Sequence, residues 1–293
     1  MKPLDLATAL FVIVIWGLNF VVVKVGVQEM PPFLFMAMRF VVVAAILLPF
    51  IRWPKGQFRP LLAYSIVLGV LHFAMMFNAM HLADAATVAL LSQLNTPWAV
   101  ILAAIVFKDY PGWRRILGIV IAFAGCAVIA GEPRFEGGLL PALLVVGGTF
   151  LWAVAAVQIK QIGEIGPFAL NGWMAAMAAP QLLAISFMVE DGHWEIMTNL
   201  SWLGWGAIFF QSVMVVIVGY GLWYGLIKRY PISRVIPLTL LLPVVGVASG
   251  VLILDEALTP YMIVGGVLVM IGVGIVTLRQ AMRAAPHQPK VPS

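Results

Sequence analysis

The 293-residue chain is 63% hydrophobic and 10% charged, with a mean hydropathy of +1.05. Soluble domains average about 25% charged residues. No soluble fold of this length could hide so much apolar surface, which leaves a polytopic membrane protein as the expected class. A net charge of +5 and a pI near 9.5 would suit a nucleic-acid binder, but the distribution of the charges, given below, excludes that reading.

A membrane helix needs roughly 20 mostly apolar residues. Ten such spans are predicted, at 5–26, 33–51, 61–80, 86–107, 114–130, 138–160, 168–189, 203–227, 232–254 and 260–278. Pro31-Pro32, Pro54, Pro60, Pro111, Pro133, Gly137-Gly138, Pro167, Pro231 and Pro260 punctuate them. The first span follows Lys2, is longer than a signal-peptide core and lacks an A-x-A site, so it is taken as uncleaved. It carries Trp16, Asn19 and Lys24. Span 2 carries Arg39 and span 3 His72, while span 4 carries Gln93, Asn95, Pro97 and Trp98. The single cysteine, Cys126 in span 5, offers neither a disulfide nor a metal motif and fits a buried inert thiol. Trp152 lies in span 6, Gln211, Tyr220, Trp223 and Tyr224 in span 8, and Pro243 in span 9.

The basic residues fix an expected orientation. With the N-terminus in the cytoplasm, fourteen of the 17 Lys and Arg fall on inner segments, only Arg134 on an outer one, and Lys24 and Arg39 within spans. The basic pI is thus a topology signal. It places both termini in the cytoplasm and leaves no role for nucleic acid.

Self-similarity is detectable. Asn95-Thr96-Pro97 through Phe107-Lys108-Asp109 resembles Leu241-Leu242-Pro243 through Ile253-Leu254-Asp255, and Gly118 and Gly125 fall on Gly265 and Gly272. Trp16 and Lys24 fall on Trp152 and Lys160, and Pro32-Phe33 on Pro167-Phe168. The expected fold class is therefore an all-α membrane protein of two five-helix repeats, residues 1–133 and 134–280, with a disordered cytoplasmic tail at 281–293. Five spans per copy invert the second relative to the first. In secondary transporters built this way the substrate binds near the midplane between the halves.

Interrupted helices in matching positions point to such a site. Pro97 and Pro243 fit, either as hinges with a freed carbonyl or as packing kinks. Trp16, Trp98 and Trp152 sit too deep for an interfacial belt, and each fits a cavity wall or core packing. Asn19, His72, Gln93, Asn95, Gln211 and Tyr220 are mid-span polar groups that suit substrate contact or interhelical bonding. His72 is the only candidate proton carrier, since no Asp or Glu lies mid-span. Lys24, like Lys160, reads as an end-of-span anchor. Three fates are open to Arg39: snorkelling outward, pairing with an outer carboxylate such as Glu29, or holding a substrate carboxylate. Small residues at Gly118, Ala122, Gly125, Gly265 and Gly272 predict a tight pairing of spans 5 and 10.

The segments WGLNFVVVKVG, MPPFLFMAMRF and VGYGLWYGLIKRYPISRVIPLTLLLPVVGVASGVLILDEALT, with the glycine-bearing last span, resemble the EamA family of the drug/metabolite transporter superfamily. The resemblance covers nearly the whole chain and is greatest to bacterial amino-acid exporters of the O-acetylserine/cysteine type. It implies an inner-membrane carrier with a basket-like bundle. Spans 1–4 and 6–9 would line a central cavity, with export by alternating access. The first-helix glutamate of the small multidrug members is missing here, so their proton-coupled cation antiport does not carry over.

Rival classes fit less well. There is no HExxH, GxSxG or intramembrane aspartate pair for an enzyme, nor a repeated polar filter for a channel. Nucleotide-sugars would call for several buried basic groups, and cationic drugs for a buried carboxylate. A neutral or zwitterionic small solute is the expected cargo, carried by a monomer or weak dimer in the lipid bilayer, without cofactor or metal.

Overall fold

In the computed structural model the described residues are 1–132, 139–162 and 165–284. Among the described residues ten helices are long and apolar enough to cross a membrane. They are α1 (Pro3–Glu29), α2 (Pro32–Phe50), α3 (Phe58–Leu82), α4 (Ala85–Phe107), α5 (Trp113–Ala130), α6 (Leu140–Ile162), α7 (Pro167–Val189), α8 (Trp202–Arg229), α9 (Ile236–Leu254) and α10 (Pro260–Leu278). Their ends match the predicted spans within a few residues. A short helix, His193–Asn199, lies between α7 and α8.

The last helix runs on to Ala284. Residues 281–284 are therefore helical, which corrects the expected start of the disordered tail. Good helix formers continue the run until Pro286 approaches. Residues 285–293, the repeat boundary at 133/134 and the outer Arg134 lie outside the described residues.

The helices are not uniform. α3 is π-helical over Ser65–His72 and α8 over Phe210–Gly219. α4 is broken by a 3-10 turn at Ser92–Leu94, and α9 opens on one at Ile236–Leu241. The breaks in α4 and α9 fall just before Pro97 and Pro243, where interrupted helices are expected, but hydropathy is blind to which carbonyl each amide bonds, so the π segments were not foreseen.

The repeat is sharper in space than in sequence. Asn95–Phe107 and Leu242–Leu254 are 13-residue helices that start 147 positions apart. Each ends on a left-handed residue, Lys108 (φ 57°) and Asp255 (φ 54°), at the same offset. The fully buried Ser65 and Ser212 repeat it within the π segments. In this register Pro97 is the third residue of its helix and Pro243 the second. The two prolines therefore do not superpose, although the helix breaks before them do.

α5 and α10 pack backbone to backbone. A Cβ on Gly118 would meet the Gly272 carbonyl at 2.8 Å, and one on Gly125 would meet Val269 N at 2.7 Å. The predicted tight pair is present, and it excludes larger side chains. The main buried cluster draws on α1 to α8 and α10, most heavily on α2, α3, α4 and α7.

Candidate functional site

The breaks in α4 and α9 and the π segments of α3 and α8 converge on a cavity of about 490 Å³. Ser92, Gln93 and Asn95 reach it from the α4 break and Leu242 from the α9 break. Pro97 has no N–H to donate to the carbonyl of Gln93, four residues earlier, and that carbonyl instead receives the Asn95 N–H within the 3-10 turn beside the cavity.

α3 contributes Phe73, Met76, Phe77 and Met80, and α8 contributes Tyr220, Trp223, Tyr224 and Ile227. Each α8 residue stands 147 positions after its α3 counterpart, so equivalent faces of the two repeats oppose one another across the cavity. The spacing i, i+3, i+4, i+7 is one helical stripe. α1 adds Trp16, Asn19, Phe20 and Val23. The matching α6 residues Trp152, Ala155, Ala156 and Ile159, 136 positions later, line a smaller adjoining cavity of about 180 Å³. Trp152, Tyr220 and Tyr224 belong to both.

Local packing fixes the polar groups. The Trp16 indole lies 5.4 Å from Tyr220 and 5.3 Å from Trp223, and its N–H donates to the Val215 carbonyl at 3.3 Å. That carbonyl belongs to the π segment of α8. Gly219 makes room, since a Cβ there would lie 2.6 Å from the indole nitrogen. Asn19 accepts a hydrogen bond from Gln211. His72 Nδ1 lies 2.7 Å from the Gly148 carbonyl. A carbonyl only accepts, so Nδ1 carries the proton and Nε2 is left as an acceptor in the neutral ring. The ring also packs 5.2 Å from Trp152.

Arg39 is 4% exposed and lines the cavity. Its guanidinium stacks 4.6 Å over Phe73 and 5.2 Å from Phe40, and its Nε has no acceptor. Outward snorkelling and pairing with Glu29 are both ruled out: the side chain is enclosed, and among the described residues it has no acidic partner. Its own backbone carbonyl accepts from Ser212, tying α2 to the π segment of α8.

Of the predicted contacts, Trp16, Asn19, His72, Gln93, Asn95, Trp152 and Tyr220 meet at the cavity with Arg39. Trp98 does not. It packs 5.0 Å from Phe123 and 5.3 Å from Phe150 in the α4–α5–α6 contact. Gln211 is fully buried behind Asn19 and orients it rather than lining the wall. Sequence reading missed Phe73, Met76, Phe77 and Met80, which are apolar and look like any lipid-facing stripe. The signal that would have found them is the offset of 147 that carries them onto Tyr220, Trp223, Tyr224 and Ile227.

Polar contacts seal helix ends to one another at both faces. At the face opposite the N-terminus, Glu190 accepts from the amides of Phe33 (2.8 Å) and Leu34 (3.0 Å), and Glu256 from those of Ala85 (2.6 Å) and Ala86 (2.8 Å). Carboxylates of the second repeat thus cap α2 and α4 of the first. Lys24 is not a lipid anchor. Its ammonium donates to the carbonyls of Met80 (3.0 Å) and Ala83 (2.9 Å) and caps the end of α3. At the N-terminal face Asp5 receives Arg229 and the Tyr230 hydroxyl, both at 2.8 Å.

The EamA-like transporter family model matches residues 5–131 and 139–278, one match for each set of five helices. The chain belongs to the EamA-like transporter family. It is 33% identical over 286 residues to a probable amino-acid metabolite efflux pump of Escherichia coli, covering 94% of this chain and 95% of that one. The Salmonella typhimurium protein of the same description is 33% identical over 277 residues, covering 91% and 92%. An uncharacterized transporter of Bacillus subtilis, YoaV, is 22% identical over 276 residues, covering 89% and 92%. A solved crystal structure with 18% identity matches at a TM-score of 0.66, covering 97% of this chain and all of the other, and shares the fold. This EamA-family chain is therefore a multi-pass membrane transporter with ten helices in two inverted five-helix repeats.

Proposed function

We propose that the protein is a secondary transporter that exports amino acids or related small metabolites by alternating access at the cavity between its repeats. The observation that carries this reading is the cavity itself. It meets both helix breaks and both π segments, and matched stripes of α3 and α8 face each other across it. The printed descriptions of the Escherichia coli and Salmonella relatives point to amino-acid metabolites as the cargo class. Trp16 and Trp152 form the walls, and Asn19, His72, Gln93, Asn95 and Tyr220 supply polar contacts. Motion occurs where α4 and α9 are already interrupted, before Pro97 and Pro243. The chain acts as a carrier and not as an enzyme. The asymmetry of basic residues supports a bacterial inner-membrane location with both termini cytoplasmic, and the carrier works as a monomer or weak dimer.

The test is counterflow in proteoliposomes with labelled amino acids and their derivatives, drugs and nucleotide-sugars. Amino-acid compounds should exchange well above empty liposomes. Flux of drugs or nucleotide-sugars with no flux of amino-acid compounds would overturn the assignment.

A further inference from the structure

The charges around the cavity do not balance. Arg39 is a full cation, almost entirely enclosed, and its wall neighbours include no Asp or Glu. Burying an unpaired charge is expensive, so the resting cavity is incomplete without an anion. Phe40 and Phe73 flank the guanidinium. Stacking occupies a face of that planar group and leaves its N–H edge for a ligand, and a carboxylate fits such a fork.

A zwitterion would satisfy Arg39 and then create the same problem at its ammonium. The acceptors at hand include no carboxylate. Asn19 Oδ1 is engaged by Gln211, and Asn95 Oδ1 is shut away from the open space. His72 Nε2 and the oxygens of Ser92, Gln93, Tyr220 and Tyr224 remain, but none carries a negative charge, so with a zwitterion two cations would face one anion. Much of the wall is apolar or aromatic, with Phe73, Met76, Phe77, Met80 and Trp223.

We infer that the cavity is built for a monocarboxylate anion carrying no positive charge of its own, that is, an N-acylated or deaminated amino-acid derivative with an apolar side chain. This rests on the reading of the cavity as the transport site. It also supplies a driving force. A cargo with one negative charge is expelled by an interior-negative membrane potential, at about 50-fold in the equilibrium ratio per 100 mV, from roughly 2.3 kcal/mol per charge. No proton-binding carboxylate is then needed, and none lines the cavity.

The test uses the full chain in proteoliposomes, with potentials set by potassium and valinomycin. The probes are phenylalanine and leucine, their N-acetyl forms, and the uncharged N-acetyl amides. The N-acetyl acids should be carried at least tenfold better than the free amino acids, and an interior-positive potential should raise their accumulation. Arg39→Met should reverse the order in favour of the amides, a gain that misfolding cannot produce. It should also melt at or above the wild-type temperature, because an unpaired buried charge has been removed. Free amino acids carried equally well, flux indifferent to potential, or an unchanged order in Arg39→Met would each overturn the inference while leaving amino-acid transport standing. If none of the six compounds moves while drugs or nucleotide-sugars do, the underlying assignment fails as well.

Discussion

Trp16 shows how a deep indole is held. Its N–H needs an acceptor in a region without water, and the π segment of α8 supplies the Val215 carbonyl. Gly219 is the matching concession, because any side chain there runs into the indole. Gly219→Ala should therefore cost about 1–3 kcal/mol by overpacking, read as a lower melting temperature in detergent. Trp16→Phe in the same chain should recover part of that loss. Equal destabilisation in the single and double variants would mean that the two residues do not press on each other. His72 gives a second prediction. If its role in the fold is to donate to Gly148, Asn at that position, whose amide N–H occupies a similar place, should melt close to wild type. Leucine should lower the melting temperature, at a cost of about 0.5–1.5 kcal/mol for the lost hydrogen bond. At this scale the polar residues of the site were legible, since polarity inside an apolar run stands out. Their fates were not: Asn19 and Gln211 are equally conspicuous in sequence, yet only Asn19 reaches the cavity.

Helix ends carry the cross-links between repeats. Glu256 receives two amides at the start of α4, and Glu190 two at the start of α2. Glu190→Ala should strip both partners from Phe33 and Leu34, at a cost of about 1–3 kcal/mol for each donor left buried, again visible in the melting temperature. Burial holds the Glu256 carboxyl above the ordinary carboxylate value, against the downward pull of the Ala86 and Ala85 amides. The folded protein then binds this proton more tightly than the unfolded chain. The contribution of Glu256 is complete below the ordinary value and declines as pH rises through the raised one. Glu256→Gln should flatten that part of the profile of melting temperature against pH, and a profile identical to wild type would show that Glu256 does not titrate there. The spans themselves were readable because length and hydropathy suffice. The seals were not, because a loop glutamate such as Glu190 or Glu256 looks like any solvated charge until its partner helix is known.

Across the whole molecule, symmetry and its violations divide the labour. The close pairing of α5 and α10, the left-handed caps at Lys108 and Asp255, and the buried Ser65 and Ser212 repeat at one offset and build the frame. Arg39 has Met174 as its counterpart, and Phe73 and Phe77 have Tyr220 and Tyr224, so the polarity of the cavity belongs to one repeat at a time. Two five-helix copies were legible from tryptophans, prolines and glycines in order. The register was wrong by one residue at the prolines, because conspicuous residues were aligned and not helix starts. The central claim is that transport runs through this cavity. It is tested most directly by counterflow of a labelled amino-acid metabolite in proteoliposomes holding equal amounts of folded Trp152→Ala or Trp98→Phe protein. Trp152→Ala should lose at least tenfold in exchange rate, because it opens the shared wall of both cavities. Trp98→Phe, which touches neither, should exchange within about twofold of wild type. The reverse order, with Trp98→Phe inactive and Trp152→Ala unimpaired, would contradict the account.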